Sequence, residues 1–459
     1  MRNFASTFVH FSSAKISCFH QCFLGLFLSS IRFLVLKVNP LWIQLSYFIS
    51  ISSVGYLILR VSKPRDSSFI NPKNIDVFFT SVSAMTGSSM STVEMEVFSN
   101  IQLIIMTILM FVGGEVFISM FGLHARSKFY SLNQLFENRI NPNLTPSSSS
   151  SSSENSTEFT DQIELGIVSN SYITNEEPNN GLENEHRMSS NDDNLKYNSV
   201  RVLVYVVLGY ILVIHVVGSS LVALYTSLAP SAKQILKEKG LQIFTFSVFT
   251  TASTFSNCGF VPTNENMMVF KKNALLLLIL FPQGLLGNTL YPSCLRFVIW
   301  VLKKITNREE FDYILRNSKE MIYRHLLSKA YSYFLAITVF GFIFVQLVLF
   351  CALEWNSEAT DGLNFFEKLV ASLFQVVNSR HTGESVFDIS IISPAILVLF
   401  VVMIAYGNVG FSTGYSCKRQ LRPDSSCKDA WYGFVGRWSN QGKVIKKFNM
   451  KGGKAWQIS

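Results

Sequence analysis

The chain has 459 residues, of which 49% are apolar, 14% aromatic and only 15% charged, with 40 Phe and a formal net charge of +9. Soluble globular chains carry about 25% charged residues, so these figures exclude a fully soluble, collagen-like or disulfide-scaffold class and make lipid the solvent. Seven cysteines at the irregular positions 18, 22, 258, 294, 351, 417 and 427 form no zinc or redox spacing and read as small buried hydrophobes.

The basic N-terminal segment 1–40 opens a 65-residue stretch without Asp or Glu. Cationic flanks before the first span favour a cytoplasmic N-terminus. The run Cys22–Ile31, interrupted by Arg32 and without a cleavage site, reads as an in-plane or partly inserted helix. Long apolar runs follow at 41–59, 101–123, 200–228, 274–302, 330–353 and 391–406, close to or above the ~20 residues that cross a bilayer. Six crossings result.

Between the second and third runs, residues 125–199 hold 11 acidic and 5 basic side chains, with Pro142, Pro146 and an unbroken serine run at 147–153. Such a composition predicts a disordered, acidic, cytosolic linker, in which the formal glycosylation acceptors Asn143 and Asn155 are silent. The tail 411–459 carries 10 Lys/Arg against Asp424 and Asp429. In a multi-span chain its partner is an anionic lipid surface, with no call for nucleic acid.

A repeat organises the rest. Three short, half-polar stretches sit between spans: FFTSVSAMTGSSMSTVEMEVF at 78–98, FSVFTTASTFSNCGFVPTNEN at 246–266 and FEKLVASLFQVVNSRHTGESVF at 366–387. Irregular backbone is tolerated at membrane depth only where it lines a cavity or is buried in protein. Each stretch therefore predicts a re-entrant loop, a pore helix of about ten residues followed by an extended return. Around one axis such loops can replace the hydration shell of a small cation with backbone carbonyls, which calls for small residues where φ is positive. Superposing the repeats aligns Ser89, Gly259 and Gly383, and IAYGNVGFSTGY at 404–415 offers Gly410 as a fourth filter position.

The expected fold is thus an all-α polytopic membrane protein, with membrane-helix/pore-loop/membrane-helix units around a pseudo-fourfold pore. The units are 41–124, 200–302 and 326–403, with a cytosolic connection at 303–325 and an incomplete fourth unit at 404–459. Carboxylates after the filter positions, Glu94, Glu96, Glu265 and Glu384 with Asp388, are either an outer vestibule that concentrates cations or ordinary solvated loop residues. Arg380 and His381 oppose a simple cation funnel and are expected to pair with carboxylates behind the filter. Glu115, in FVGGEVF, either faces the pore or holds the amides of a pore loop; His215 reads as an interhelical donor. Run 274–302 is interrupted by Pro282, Gly284, Gly287 and Pro292 with Gln283 and Asn288 inside it, which suits a gate or simple small-residue packing. No nucleophile elbow, nucleotide loop or metal-binding helix pair is present, so no enzyme and no cofactor is expected.

The stretches SSMSTVEMEVFSN (88–100), FSVFTTASTFSNCGFVPTNENM (246–267), FPQGLLGNTLYP (281–292), KLVASLFQVVNSRHTGE (368–384), SPAILVLF (393–400) and AYGNVGFSTGYSC (405–417) resemble the plant high-affinity potassium transporters, the HKT family of the Trk/Ktr/HKT superfamily. The resemblance implies four membrane-pore-membrane units in one chain, a plasma-membrane location, homodimeric assembly and passive permeation of sodium and potassium ions. Serine at the first filter position, here Ser89, resembles the sodium-selective subfamily. A Cβ and hydroxyl there would break the symmetric carbonyl cage that the larger potassium ion needs.

The chain also departs from that pattern. A further unit needs about 50 residues between filter positions, yet Gly410 follows Gly383 by only 27, and 437–456 has just Val444 and Ile445 where the family carries a final apolar helix. With six crossings Gly410 emerges on the cytosolic side, and Cys417 and Cys427, a pair suited to an extracellular disulfide, meet a reducing compartment. Two functions stay open: a sodium-permeable transporter, or an internally deleted, non-conducting splice or gene-model variant able to poison dimers.

Overall fold

The computed structural model describes residues 40–65, 72–93, 95–140, 182–321 and 323–407. Segment 1–39, Glu94, the linker centre, Gly410, Cys417, Cys427 and the basic tail therefore lie outside the described residues. Every regular element among the described residues is helical. In chain order they are α1 (Pro40–Val61), α2 (Asn74–Thr86), α3 (Asn100–Gly113), α4 (Glu115–Ile140), α5 (Leu182–Leu228), α6 (Pro230–Glu238), α7 (Ile243–Phe255), α8 (Ala274–Gly287), α9 (Tyr291–Thr306), α10 (Glu309–Arg316), α11 (Lys329–Glu354), α12 (Phe365–Asn378) and α13 (Pro394–Gly407).

Three helices, within α1, α5 and α11, are long and apolar enough to cross a membrane. Their outward faces are apolar: Val213, Val216, Val217, Leu221 and Leu224 on α5, and Phe334, Ile337, Phe340, Phe344 and Val348 on α11, are all exposed. Contiguous apolar surface of that extent is unfavourable in water and suits acyl chains.

The expected second and fourth spans are broken helices. The chain bends by 54° between α3 and α4 and by 88° between α8 and α9. In α8 the break follows Gly287; Pro282 sits within the helix. Each break frees carbonyls that need donors, and a tyrosine of the preceding long helix supplies one. Tyr47 Oη donates to Val112 O at 3.1 Å and Tyr210 Oη to Leu286 O at 2.8 Å. The last run forms α13, of which Pro394–Gly407, 14 residues, is described, about 21 Å at 1.5 Å per residue.

Helix also reaches into the predicted linker. α4 runs to Ile140 and α5 starts at Leu182, because extending an existing helix adds a hydrogen bond per residue without a new nucleation cost.

The described chain divides into two compact units. The first comprises the described residues up to Ile118, those of 210–294 and those from 330 to 407. Its core includes Met85, Phe98, Leu103, Phe246, Phe249, Phe270, Leu277, Phe350, Phe374 and Phe387, all buried. α3 is anchored there by a capping box, Ser99 N–H donating to Gln102 Oε1 at 3.0 Å, while Gln102 Nε2 donates to the Leu59 and Ser62 carbonyls that end α1, both at 3.0 Å. The second unit comprises 119–209 and 295–329. In it Arg296 donates to the Leu327 and Leu315 carbonyls at 2.9 and 3.0 Å, and the Lys303 ammonium holds the Asp312 carboxyl below the usual range, with help from Arg316.

Candidate functional site: three converging loops

The three half-polar stretches share one local construction. Each begins with a short helix, α2, α7 or α12, of 13, 13 and 14 residues. These are somewhat longer than the ten residues expected. Each helix ends in a tight reversal in which a loop amide returns to a carbonyl five residues earlier: Ser88 to Ser83 at 3.1 Å, Cys258 to Ser253 at 2.9 Å, and Gly383 to Asn378 at 2.9 Å. Left-handed backbone follows one residue later at Ser89 (φ 53°) and Gly259 (φ 76°), and falls on the donor itself at Gly383 (φ 80°). Glycine adopts such a φ freely, whereas serine carries a steric cost there.

The loops return along their own helices. Thr92 Oγ1 donates to Asp76 Oδ1 at 2.8 Å, tying the first return limb to the start of α2. In the third loop Gln375 Oε1 accepts the Val386 and Phe387 amides at 2.9 and 3.2 Å.

Tertiary structure then brings the three loops to one point. A Cβ on Gly259 would lie 1.8 Å from the Thr382 carbonyl oxygen and 3.4 Å from the Ser89 Cβ. The buried Cys258 thiol also takes a hydrogen bond from the Ser89 backbone. Around this point α7 is buried although polar: Thr250, Thr251, Ser253 and Thr254 are each fully buried, and the first three hydroxyls have no protein partner among the described residues. Two glycines let broken helices approach the short helices at the level of backbone. A Cβ on Gly113 would fall 1.8 Å from Met85 O, and one on Gly287 would fall 1.8 Å from Phe255 O.

A model of the TrkH family, described as a cation transport protein, matches residues 120–421, more than half of the chain. The chain belongs to the Trk/Ktr/HKT superfamily of cation transporters. Among its relatives, the rice (Oryza sativa subsp. japonica) protein named cation transporter HKT1;3 is 40% identical, covering 98% of this chain and 97% of the relative. The Arabidopsis thaliana protein named sodium transporter HKT1 is also 40% identical, covering 87% of this chain and 91% of the relative. A more distant one, from Saccharomyces uvarum and named high-affinity potassium transport protein, is 26% identical over 46% of this chain. This HKT relative is accordingly a membrane cation transport protein rather than an enzyme.

The carboxylates after the filter positions are not a uniform ring of solvated acids in this HKT chain. Glu96 and Glu265 meet on one ammonium: Lys239 Nζ lies 2.8 Å from Glu96 Oε1 and 2.7 Å from Glu265 Oε2. Burial pushes the Glu96 carboxyl up even though Lys239 and the Asn264 amide draw it down. Glu384 is fully buried and accepts the Thr254 hydroxyl at 2.8 Å, so it joins the third loop to α7. Asp388 is half-buried.

His381 corrects an expectation. Its ring nitrogens meet the Thr289 hydroxyl at 2.6 Å and the Val377 carbonyl at 2.7 Å, with no carboxylate, and the Arg380 Nε is buried without a partner among the described residues. Glu115 starts α4 immediately after the Gly114 break and is exposed, so it is not a mid-helix residue. An acid in the first turn complements the helix dipole, and it lines a small cavity with Phe111, His215, Phe255 and Ser256. His215 Nδ1 meets Ile211 O of its own helix at 2.8 Å. Asn288 caps the broken end of α8, its N–H donating to Leu285 O at 3.4 Å. Sequence reasoning missed Lys239, Arg65, Tyr47 and Tyr210. Only proximity across long stretches of chain reveals them.

Proposed function

We propose that the loops bearing Ser89, Gly259 and Gly383, completed by Gly410, are the selectivity filter of a passive, sodium-selective pathway in the plasma membrane, in a homodimer. The observation that carries this reading is the convergence of the three loops at Gly259, where a Cβ, were there one, would overlap the Thr382 carbonyl oxygen and touch the Ser89 Cβ at 3.4 Å. Each loop follows the C-terminal end of a short helix, where unpaired carbonyls and the helix dipole favour a cation. The buried hydroxyls of α7 and the left-handed backbone at three equivalent positions suit carbonyl coordination. Sodium over potassium is supported by the side chain of Ser89 at this point and by the name of the Arabidopsis relative. Glu384, buried on Thr254, braces the filter from behind; Glu94, Glu96 and Glu265 set the charge of the mouth.

The test is Ser89→Gly in a chain whose fourth unit is complete, recorded in oocytes in sodium and potassium baths. The variant is expected to shift its reversal potential toward that of a potassium-permeable pathway. Identical reversal potentials in potassium would sink the assignment of Ser89.

A second reading has its own support. Gly410 follows Gly383 by only 27 residues where a descending and an ascending span are needed, and the alignment with the rice relative extends over 536 positions against 459 residues here. The relative therefore has residues without counterpart in this chain. On this reading the chain is an internally deleted form that assembles three filter loops and does not conduct, and it could poison a full-length partner in a dimer.

A further inference from the structure

Resting on the reading of these loops as a pore mouth, we propose that Lys239 is the resident cation of the Glu96–Glu265 pair, a positioning residue that clamps the first two filter loops together and denies the pair to calcium. Lys239 follows α6, in neither loop, yet its Nζ reaches both. It lies 2.8 Å from Glu96 Oε1, and 2.9 and 2.7 Å from Glu265 Oε1 and Oε2. All three side chains are nearly dry, at 9%, 10% and 7% exposure.

The surroundings fix this geometry. Glu96 Oε1 also accepts the Asn264 amide at 2.8 Å. Arg65 Nη1 donates to the Lys239 carbonyl at 2.6 Å, while its own amide bonds Val97 O at 3.0 Å, beside Glu96. The lysine is thus held at both ends, its backbone by Arg65 and its ammonium by the return limbs of two loops. Glu96 lies seven residues after Ser89 and Glu265 six after Gly259, so the clamp sets the spacing of those loops.

Three carboxylate oxygens at 2.7–2.9 Å from one point need move only a few tenths of an ångström inward to reach the calcium–oxygen distance of about 2.3–2.6 Å. The pair offers one monodentate and one bidentate carboxylate, three of the six to eight oxygens that calcium takes, with water left to supply the rest. A monovalent ammonium on a covalent tether satisfies both acids without leaving a vacancy for a divalent ion from outside. Removing it leaves two buried carboxylates that cannot both stay charged without a cation.

The experiment uses the full chain purified in detergent and calcium chloride as the probe, with thermal unfolding followed by tryptophan fluorescence. Wild type is expected to melt at the same temperature with and without about 1 mM calcium. Lys239→Met is expected to melt several degrees lower without calcium and to recover most of that loss with it. The triple variant Lys239→Met, Glu96→Gln, Glu265→Gln is expected to lose the calcium response. A Lys239→Met protein whose melting ignores calcium, or one that fails to accumulate with calcium in every buffer, overturns the proposal. Because the readout needs no current, it is independent of the Ser89 test.

Discussion

Gly259 has a φ of 76°, and any Cβ there would fall 1.8 Å from the Thr382 carbonyl oxygen. Ser89, in the equivalent place of the first loop, has a φ of 53° and does carry a Cβ. The two positions predict opposite responses. Gly259→Ala must displace backbone, at a cost of about 1–3 kcal/mol, and is expected to lower the melting temperature of the purified chain by several degrees. Ser89→Gly removes a left-handed Cβ and is expected to leave it unchanged or raised. The left-handed positions Ser89, Gly259 and Gly383 were legible in the sequence because positive φ restricts residue type and the motif recurs. Lys239 was not legible, because it meets Glu96 across 143 residues of chain and a lone lysine at a helix end looks solvated.

At the scale of elements, the decisive features are the two breaks. Gly113 and Gly287 each end a helix against the last turn of a short helix, α2 or α7, and a tyrosine accepts the role of donor to the carbonyl one residue before each glycine. Gly287→Ala is expected to separate α8 from α7 and to cost about 3 kcal/mol or more; surface biotinylation of expressing cells should show most of the protein lost. Normal surface levels with wild-type melting would mean that the approach of α8 is not required. The sequence pointed to an interruption between Pro282 and Pro292, and the break lies there. It gave no sign of the break at Gly113–Glu115, since a Gly-Gly pair in an apolar run equally suits close packing of a straight helix. Pro282 lies in the interior of α8, at its ninth residue, where it removes the hydrogen bond to the Leu278 carbonyl and loosens the turn that precedes the break at Gly287.

On the scale of the whole molecule, the described chain assembles three loops, and a single 14-residue helix follows Ser393. On the deletion reading the exact chain is expected to give no sodium current above control in oocytes, while the same chain with the rice relative's intervening segment placed between Phe400 and Ile404 is expected to conduct. Currents from the exact chain would defeat the deletion reading. Composition alone determined that lipid is the solvent, since 15% charged residues cannot cover a soluble surface of this size. The periodic recurrence of short polar stretches between apolar runs determined where the loops lie, because backbone at membrane depth has so few permitted forms. Tertiary structure alone decided that the three loops meet, that Glu96 and Glu265 share one buried lysine, and that Glu384 turns inward to Thr254. Those outcomes depend on which residues packing brings within 3 Å of one another, and hydrophobic pattern carries no record of such distances.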